Sequence, residues 1–438
     1  MPDCIIAGGG LAGMAAAAAL GEAGFRVQVF ESRPFLGGRA ASYAVPGSPE
    51  ETIDNCQHIL LKCCVNLLDF YRRMGVEERI RFYREFHFLE PGGRRSDLPI
   101  SMLPAPAHFA PGFLKLKFLT WGERMAVARG LLAILRQRDR QDLNEITMAA
   151  WLAEQGQPPR ALERFWRPVL VSAVNADPAH MAAAYGFQVF RLGFLERPEF
   201  SEMGVPSVAL GELYGRERWE RLPKVEIRTG LKVERFCFRG AGACAAVAGG
   251  EEHKADFYIS AVPFESVAGL APELPLDLSC FRHSPITGIH LWFDRPVTEL
   301  PHAALLDRTI QWFFNKREGR YLQLVVSASN RLLQMPRQEV IEMSVSELRD
   351  FLPAVGGAVL ERAHVVKEAR ATFTAAPGLE SRRPGPRTPF ENFFLAGDWT
   401  ATGWPATMEG AVRSGYRAAE AVTEAAGRPM RFLVEGVR

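Results

Sequence analysis

The first forty residues constrain the fold more than any other stretch. Cys4-Ile-Ile-Ala7 reads as a short buried strand, and Gly8-Gly-Gly-Leu-Ala-Gly13 follows at once. The alanine-rich run Met14 to Leu20 predicts a close-packed helix stopped by Gly24, and Val27-Gln-Val-Phe30 predicts a second strand closed by Glu31. Strand, glycine loop, helix, strand and acid, in that order, make a βαβ unit suited to a dinucleotide. Gly8 permits the tight turn, Gly10 lets the backbone approach a pyrophosphate, and Gly13 lets the helix sit close to the sheet. The helix N-terminus, at Leu11 and Ala12, offers unpaired N–H groups and a positive dipole end to the phosphates. Glu31, 18 residues after Gly13, is placed to accept hydrogen bonds from a ribose.

Arg33 to Arg39 (RPFLGGR) adds a second glycine pair directly after the acidic strand end. A simple nicotinamide dehydrogenase needs nothing of this kind. A glycine turn with an arginine suits a longer cofactor that continues past the pyrophosphate toward a flavin ring. Taken alone, the segment also reads as an ordinary Gly-Gly loop.

At ~150 residues per domain the 438 residues allow two or three domains. A composition of 47% apolar and 23% charged residues excludes wholesale disorder. The net charge of +2 gives no reason to expect a nucleic-acid partner. Seven scattered cysteines without a C-x-x-C pair fit free thiols in a reducing cytoplasm better than a disulfide framework. No signal peptide precedes the first strand. The uncharged stretch Leu98 to Leu114 carries Pro99, Pro104, Pro106 and Pro111, so it cannot be a regular transmembrane helix. The expectation is a soluble or surface-bound protein.

Further along, Asn66–Met74 and Thr120–Leu135 have helical apolar spacing, while Val225–Arg228 and Leu231–Phe238 read as strands around Gly230. Ala255–Val262, Ile286–Phe293 and Tyr321–Ala328 read as strands, the last two as neighbours. Asn392–Ala396 is a strand leading into Gly397-Asp398, and Thr407–Ala425 a helix stopped by Gly427. The two ends of the chain therefore share a nucleotide fold, with other material inserted between them.

Three separated motifs carry a family resemblance: GGGLAG, the GGR at Gly37-Gly38-Arg39, and LAGDWTATGWPATMEGAVRSGYRAA from Leu395 to Ala419. On these the chain resembles the flavin monoamine oxidase and carotenoid desaturase superfamily over nearly its whole length. Asp54-Asn-Cys-Gln-His58, Cys63-Cys64, Asn66–Tyr71 and Phe88–Arg95 look most like its squalene-associated branch, the bacterial hydroxysqualene dehydroxylases of hopanoid biosynthesis. The resemblance implies an α/β fold in which a Rossmann-like FAD-binding lobe is interrupted by an inserted substrate lobe. The implied segments are 1–95, 206–270 and 386–427 for the FAD lobe, 96–205 for a helical insertion, 271–385 for a substrate-binding sheet, and 428–438 for a tail.

The resemblance also assigns roles. Gly8, Gly10, Leu11, Ala12 and Gly13 would face the pyrophosphate, Glu31 the adenosine ribose, and Arg33, Gly38 and Arg39 the segment leading to the ring. Val233 would hold the adenine by its backbone, Gly397 and Asp398 the ribityl side, and Thr407 and Met408 the ring edge. The positive helix end near Met408 would stabilise an anionic reduced ring. Thr407 stands where amine oxidases place a cage tyrosine, which argues against a small-amine substrate. Cys56 replaces a glycine common in relatives and puts direct transfer of roles to Asp54 and His58 in doubt.

Removal of an allylic hydroxyl needs a proton for the departing oxygen and an otherwise apolar cavity. Asp54 and His58 are the candidates; the alternative is that Asp54 fixes a turn and His58 caps a strand end. The other histidines and the cysteines read as packing groups. Between Leu103 and Arg140, apolar Phe109, Phe113, Leu114, Leu116, Phe118, Leu119, Trp121 and Leu132 are edged by Lys115, Lys117, Arg136, Arg138 and Arg140. That pattern suits either an interfacial lipid-dipping segment or an ordinary core-facing helix.

The expected protein is thus an FAD enzyme making squalene from hydroxysqualene, cytoplasmic or peripheral on the inner face of the membrane. Its partners would be a lipophilic C30 isoprenoid and an electron donor that the sequence does not name. A carotenoid-type desaturase or amine oxidase is the enzymatic alternative. A prenyl-binding module like the GDP-dissociation inhibitors is the non-enzymatic one, disfavoured by the intact Gly8/Gly10/Gly13 loop.

Overall fold

In the computed structural model, which describes residues 1–45 and 47–435, five parallel strands form the nucleotide sheet. Their order is Val225–Thr229, Arg26–Glu31, Asp3–Ala7, Phe257–Ser260 and Phe393–Leu395. These strands come from the start, middle and end of the chain, and a parallel sheet covered on both faces requires nearly continuous apolar runs such as Cys4–Ala7. The helix Leu11–Glu22 explains its alanines the same way. All ten residues from Leu11 to Leu20 are buried, so it carries no polar stripe. One flank meets the sheet and another meets the C-terminal helix Met408–Ala425. Gly415 of that helix lies so near the Ala12 carbonyl that a Cβ there would clash with it.

A seven-stranded sheet forms the second lobe, in the order Leu360–Phe373, His283–Phe293, Tyr321–Ser327, Trp312–Arg317, His302–Leu305, Glu85–Glu90 and Arg94–Pro99. The strands expected as neighbours are antiparallel partners, from Ile286 opposite Ser327 to Trp292 opposite Tyr321. Segment 85–99 departs from the expected division of the chain. Glu85–Glu90 pairs in parallel with His302–Leu305, so this hairpin belongs to the second sheet and a boundary at 95 cuts through its second strand. Alternation is weak there: Phe86 to Glu90 are all buried, because helices cover the sheet's other face.

The 96–205 stretch holds the helices Trp121–Arg136, Met148–Glu154, Arg167–Val174 and Ala183–Phe190, which pack around Trp151, Trp166 and Phe190. Thr120 and Glu123 close the first of these with a reciprocal capping box. Of the expected interfacial residues, Leu116, Phe118 and Leu119 are buried core, whereas Leu114, Trp121 and Leu132 are exposed. Among the described residues no helix is long and apolar enough to cross a membrane. The tail docks as far as it is described: the Val434 N–H donates to Asn66 Oδ1 at 2.8 Å. Residues 436–438 of the expected tail lie outside the described residues.

Candidate cofactor and active site

One cavity of about 1120 Å³ runs from the nucleotide sheet into the second lobe. Pockets for small ligands span ~300–1,000 Å³, so this one has room for more than a single small molecule. Gly8, Gly10, Leu11, Ala12, Glu31, Arg33, Gly38, Arg39, Val233, Gly397, Asp398, Thr407 and Met408 all line it. The structure therefore brings together nearly the whole predicted cofactor set. Gly13 does not line the cavity and acts behind it.

The three loop glycines do different work. Gly8 has φ +110°, and a Cβ on it would lie 2.6 Å from the Ala261 carbonyl oxygen. A Cβ on Gly13 would collide with the Gly8 carbonyl, so this glycine sets the helix-to-loop approach. At Gly10 the nearest atom within 4 Å of a built Cβ is Gly38 Cα at 3.8 Å, so the position opens into the cavity. Gly10 also caps the helix without a side chain, leaving the N–H groups of the first turn free for an anion.

Glu31 is held by the loop it serves. Its Oε2 accepts from the Gly9 N–H at 2.7 Å, and its Oε1 from the Arg33 N–H at 2.8 Å. Arg33 Nη1 donates to the Gly38 carbonyl at 2.9 Å, tying the two glycine segments together. Arg39 pairs with Asp398 at 2.5 Å and donates to the Ala371 carbonyl at 3.2 Å. Thr407 is the N-cap of Met408–Ala425, its Oγ1 accepting from the Gly410 N–H at 3.0 Å. A dinucleotide fits this groove: a glycine cradle, a free helix end, a carboxylate at the second strand and a second helix end at the far side.

The structure gives Asp54 and His58 different surroundings. Asp54 does not line the cavity. Its Oδ1 accepts from Ser42 Oγ at 2.6 Å and from the Leu210 N–H at 2.9 Å, which fixes the loop. The structure thus places the Asp54 Oδ1 against its own scaffold. His58 does line the cavity, with Nε2 3.0 Å from Asn55 Oδ1. Burial lowers its pKa to about 4, with Asp54 raising it and Lys316 lowering it, so the imidazole is neutral at pH 7. A neutral imidazole is a hydrogen-bonding group rather than a ready acid. Beside it, Lys316 Nζ donates to Gln57 Oε1 at 3.0 Å.

Two supporting residues were not apparent in the sequence. Arg383, buried, donates to the carbonyls of Asp398 and Trp404 at 2.7 Å each and to Thr402 Oγ1 at 3.0 Å, clasping the loop that carries Asp398. Nothing distinguishes it by composition among 52 basic residues. Buried Glu409 accepts from the Leu67 N–H at 2.7 Å and from Asn66 Nδ2 at 2.9 Å, docking Met408–Ala425 on the helix Val65–Arg73. Its position in the first turn of a helix was the available signal.

Beyond the Arg39–Asp398 pair the wall becomes apolar: Phe86, Phe88, Phe109, Phe113, Phe165 and Phe194 line it, with Leu131, Leu132 and Leu135 of Trp121–Arg136. Leu132 is 45% exposed, so the apolar arm reaches the surface beside that helix.

A glycine-cradled dinucleotide groove opening onto an apolar chamber between two sheets defines an FAD-dependent oxidoreductase. The chain belongs to the flavin containing amine oxidoreductase family, whose model matches residues 11–423. Similar proteins include a hydroxysqualene dehydroxylase of Sinorhizobium fredii, 31% identical over 445 residues, covering 95% of this chain and 97% of that protein. A probable zeta-carotene desaturase of Synechococcus elongatus is 26% identical over 486 residues, covering 96% and 98%. Among solved structures, an oxidoreductase from Methanosarcina mazei superposes with a TM-score of 0.71 at 19% identity, covering 94% and 98%. A putrescine oxidase superposes with 0.70 at 16% identity, covering 95% and 98%. At these identities the structures speak to the fold alone.

Proposed function

We propose that this oxidoreductase reductively removes the hydroxyl of hydroxysqualene to give squalene. The observation that carries the reading is the apolar, phenylalanine-lined arm of the cavity, which joins the cofactor groove and suits a long isoprenoid chain. The 31% identity to a hydroxysqualene dehydroxylase over nearly both chains supports it. Thr407 in place of a cage tyrosine speaks against a small amine.

Bound FAD, when reduced, supplies a hydride to an electron-poor carbon. The chain's own residues do the rest. Gly8, Gly10 and the Leu11–Ala12 helix end would take the pyrophosphate, with Gly13 seating the helix against the loop behind them; Glu31 would take the ribose and Val233 the adenine. Arg39 and Asp398 would hold the segment leading to the ring, and the helix end at Met408 would favour negative charge on a reduced flavin. The phenylalanine arm excludes water from the reacting carbon, while His58 offers a hydrogen bond to the substrate oxygen. The oxygen would leave as water after taking up a proton from solvent.

The chamber mouth is the proposed route for lipid. Met102, Leu103, Leu114, Trp121 and Leu132 are exposed in this part of the chain, and so are Lys115, Lys117 and Arg129. Exposed apolar side chains edged by basic ones suit the surface of an anionic bilayer.

The deciding experiment incubates reduced holoenzyme with hydroxysqualene without oxygen and analyses the lipid. Squalene with stoichiometric flavin oxidation is expected; recovered hydroxysqualene beside still-reduced flavin would overturn the reading. A second reading, desaturation, is favoured by the 26% identity to a zeta-carotene desaturase. Oxidised holoenzyme would then dehydrogenate a carotene under the same conditions. Purified protein that is colourless and takes up no FAD would instead point to a binding module.

A further inference from the structure

Glu368 stands apart from the other carboxylates of the cavity. Glu31 accepts from Gly9 and Arg33 N–H groups, Asp398 pairs with Arg39, and Glu409 accepts from Asn66 and Leu67. Glu234 accepts from the Gly250 N–H, and Glu265 lies within 3.9 Å of His283 and Arg370. Among the described residues the Glu368 side chain makes no hydrogen bond and no ion pair, although it is half-buried and lines the cavity.

Its direction follows from the strand. The preceding Lys367 donates to the Leu333 and Met335 carbonyls on one face of Leu360–Phe373, so Glu368 faces the other. Glu368 sits opposite Ile286, itself a lining residue, at a bulge where the ladder shifts between Ile286 and Ser284. Bulges of this kind re-aim side chains beside active sites. Ala371 and Thr372, just beyond, also line the cavity, and Ala371 carries the Arg39 contact. Glu368 therefore lies at the seam between the cofactor groove and the apolar arm. Its charge is felt nearby: Cys56 and Tyr43 are both pushed up to about 12, by burial first and by Glu368 in addition.

We propose that the Glu368 carboxylate is the counter-charge for a carbocation formed on an isoprenoid chain in this cavity. The inference rests on the reading of the cavity as an isoprenoid site. In dehydroxylation the C–O bond breaks with its electron pair going to oxygen, which takes a proton and leaves as water. The allylic fragment keeps the positive charge. A hydride from reduced flavin then forms the new C–H bond, so the alcohol is reduced and the flavin oxidised. A carboxylate at the cavity wall with no side-chain partner is free to face a transient cation, and the attraction is strongest where water is excluded.

The test measures binding to oxidised holoenzyme, not turnover. The probe is dimethylfarnesylamine, an ammonium ion at pH 7, compared with the uncharged hydrocarbon of the same shape, both followed by perturbation of the flavin spectrum. The wild type is expected to favour the ammonium by about tenfold or more, the scale of one charge-assisted contact. Glu368→Gln should lose that preference while keeping its flavin, and Glu368→Asp should keep part of it. Carbodiimide labelling of wild-type holoenzyme gives a readout free of any folding defect: coupling at Glu368 should slow when the amine is bound. No ammonium preference in the wild type, an unchanged preference in Glu368→Gln, or unprotected labelling would each overturn the inference. If the preference depends on Glu368 but hydroxysqualene is not converted, the dehydroxylase reading fails and the cation site stands. If squalene forms and the preference ignores Glu368, the reverse holds.

Discussion

Arg39 and Asp398, 359 residues apart in the chain, meet in a 2.5 Å ion pair across the cofactor groove. Arg39 follows the second glycine pair near the start of the chain, and Asp398 follows the last strand of the nucleotide sheet. The Asp398 side chain is 6% exposed and that of Arg39 32%, so the pair is sheltered on one side only. Arg383 holds the loop on which Asp398 sits through its backbone carbonyl. Both members of the pair line the cavity, so the contact couples the two chain ends to the same ligand.

This coupling predicts non-additive losses. Arg39→Met is expected to lower flavin retention sharply, and Asp398→Asn to lower it less. The double variant should be no worse than Arg39→Met, because both remove one interaction. Bound flavin per protein, measured after gel filtration, checks the cycle; additive losses would mean that the two residues act independently.

The loop glycines predict a contrast within a single motif. A side chain at Gly10 points into the cavity, so Gly10→Val should fold normally and lose FAD affinity by roughly tenfold or more, since ~1.4 kcal/mol already corresponds to tenfold. Gly13→Val drives its side chain into the Gly8 carbonyl and should destabilise the protein itself. Thermal melts with and without added FAD separate the two: the Gly10 variant should melt like flavin-free wild type, the Gly13 variant well below it.

The nucleotide lobe was legible because its signals are local. Cys4–Ala7, the glycine loop, Val27–Phe30 and Phe393–Leu395 fall within two residues of the expected bounds. The second lobe was less so. Glu85–Glu90 owes its place to a partner strand beginning at His302, a pairing over more than two hundred residues that no local pattern encodes. The stretch that read as either interfacial or core-facing divides for a related reason: Phe118 and Trp121 look alike in sequence, yet one is 0% and the other 62% exposed. Glu368 resembles any strand carboxylate until the partners of its neighbours are known.

The surface split predicts what mutation will do to membrane binding. Replacing Leu114, Trp121 and Leu132 together by serine should reduce binding to anionic liposomes while leaving the flavin and the melting temperature nearly unchanged. Phe118→Ala is the contrasting core change and should cost about 3–5 kcal/mol of stability. Liposome co-sedimentation beside a urea titration tests both. Unchanged sedimentation of the triple variant would return the patch to ordinary surface.

Three sheltered histidines, two of them fully buried, predict the acid limb of stability. Burial lowers His58 and His302 to about 4 and His290 to about 3, from an ordinary value near 6.5. All three are neutral in the fold, whereas the unfolded chain takes up protons once the pH falls below about 6.5. Stability from this source is complete above that value and is lost as the pH falls through the window toward 4. The urea midpoint should therefore decline from pH 7 to pH 4.5. His302→Gln should flatten part of the decline.

Asp54 decides whether segment 54–58 is scaffold or acid. Its Oδ1 holds Ser42 Oγ at 2.6 Å and the Leu210 N–H at 2.9 Å, and it does not line the cavity. Asp54→Asn keeps an amide oxygen where Oδ1 accepts from both donors, so it should cost no more than about 1 kcal/mol of stability and retain flavin. A general acid, by contrast, contributes ~10²–10⁴-fold to the rate. Anaerobic single-turnover oxidation of bound reduced flavin by hydroxysqualene should slow by much less than that in Asp54→Asn. His58→Gln, which removes a neutral hydrogen-bonding group from the cavity wall, should slow it more than Asp54→Asn without adding a pH-dependent limb near 6.5. A hundredfold loss in Asp54→Asn, with stability and flavin content intact, would mean that the carboxylate turns from its scaffold and hands its proton to the substrate.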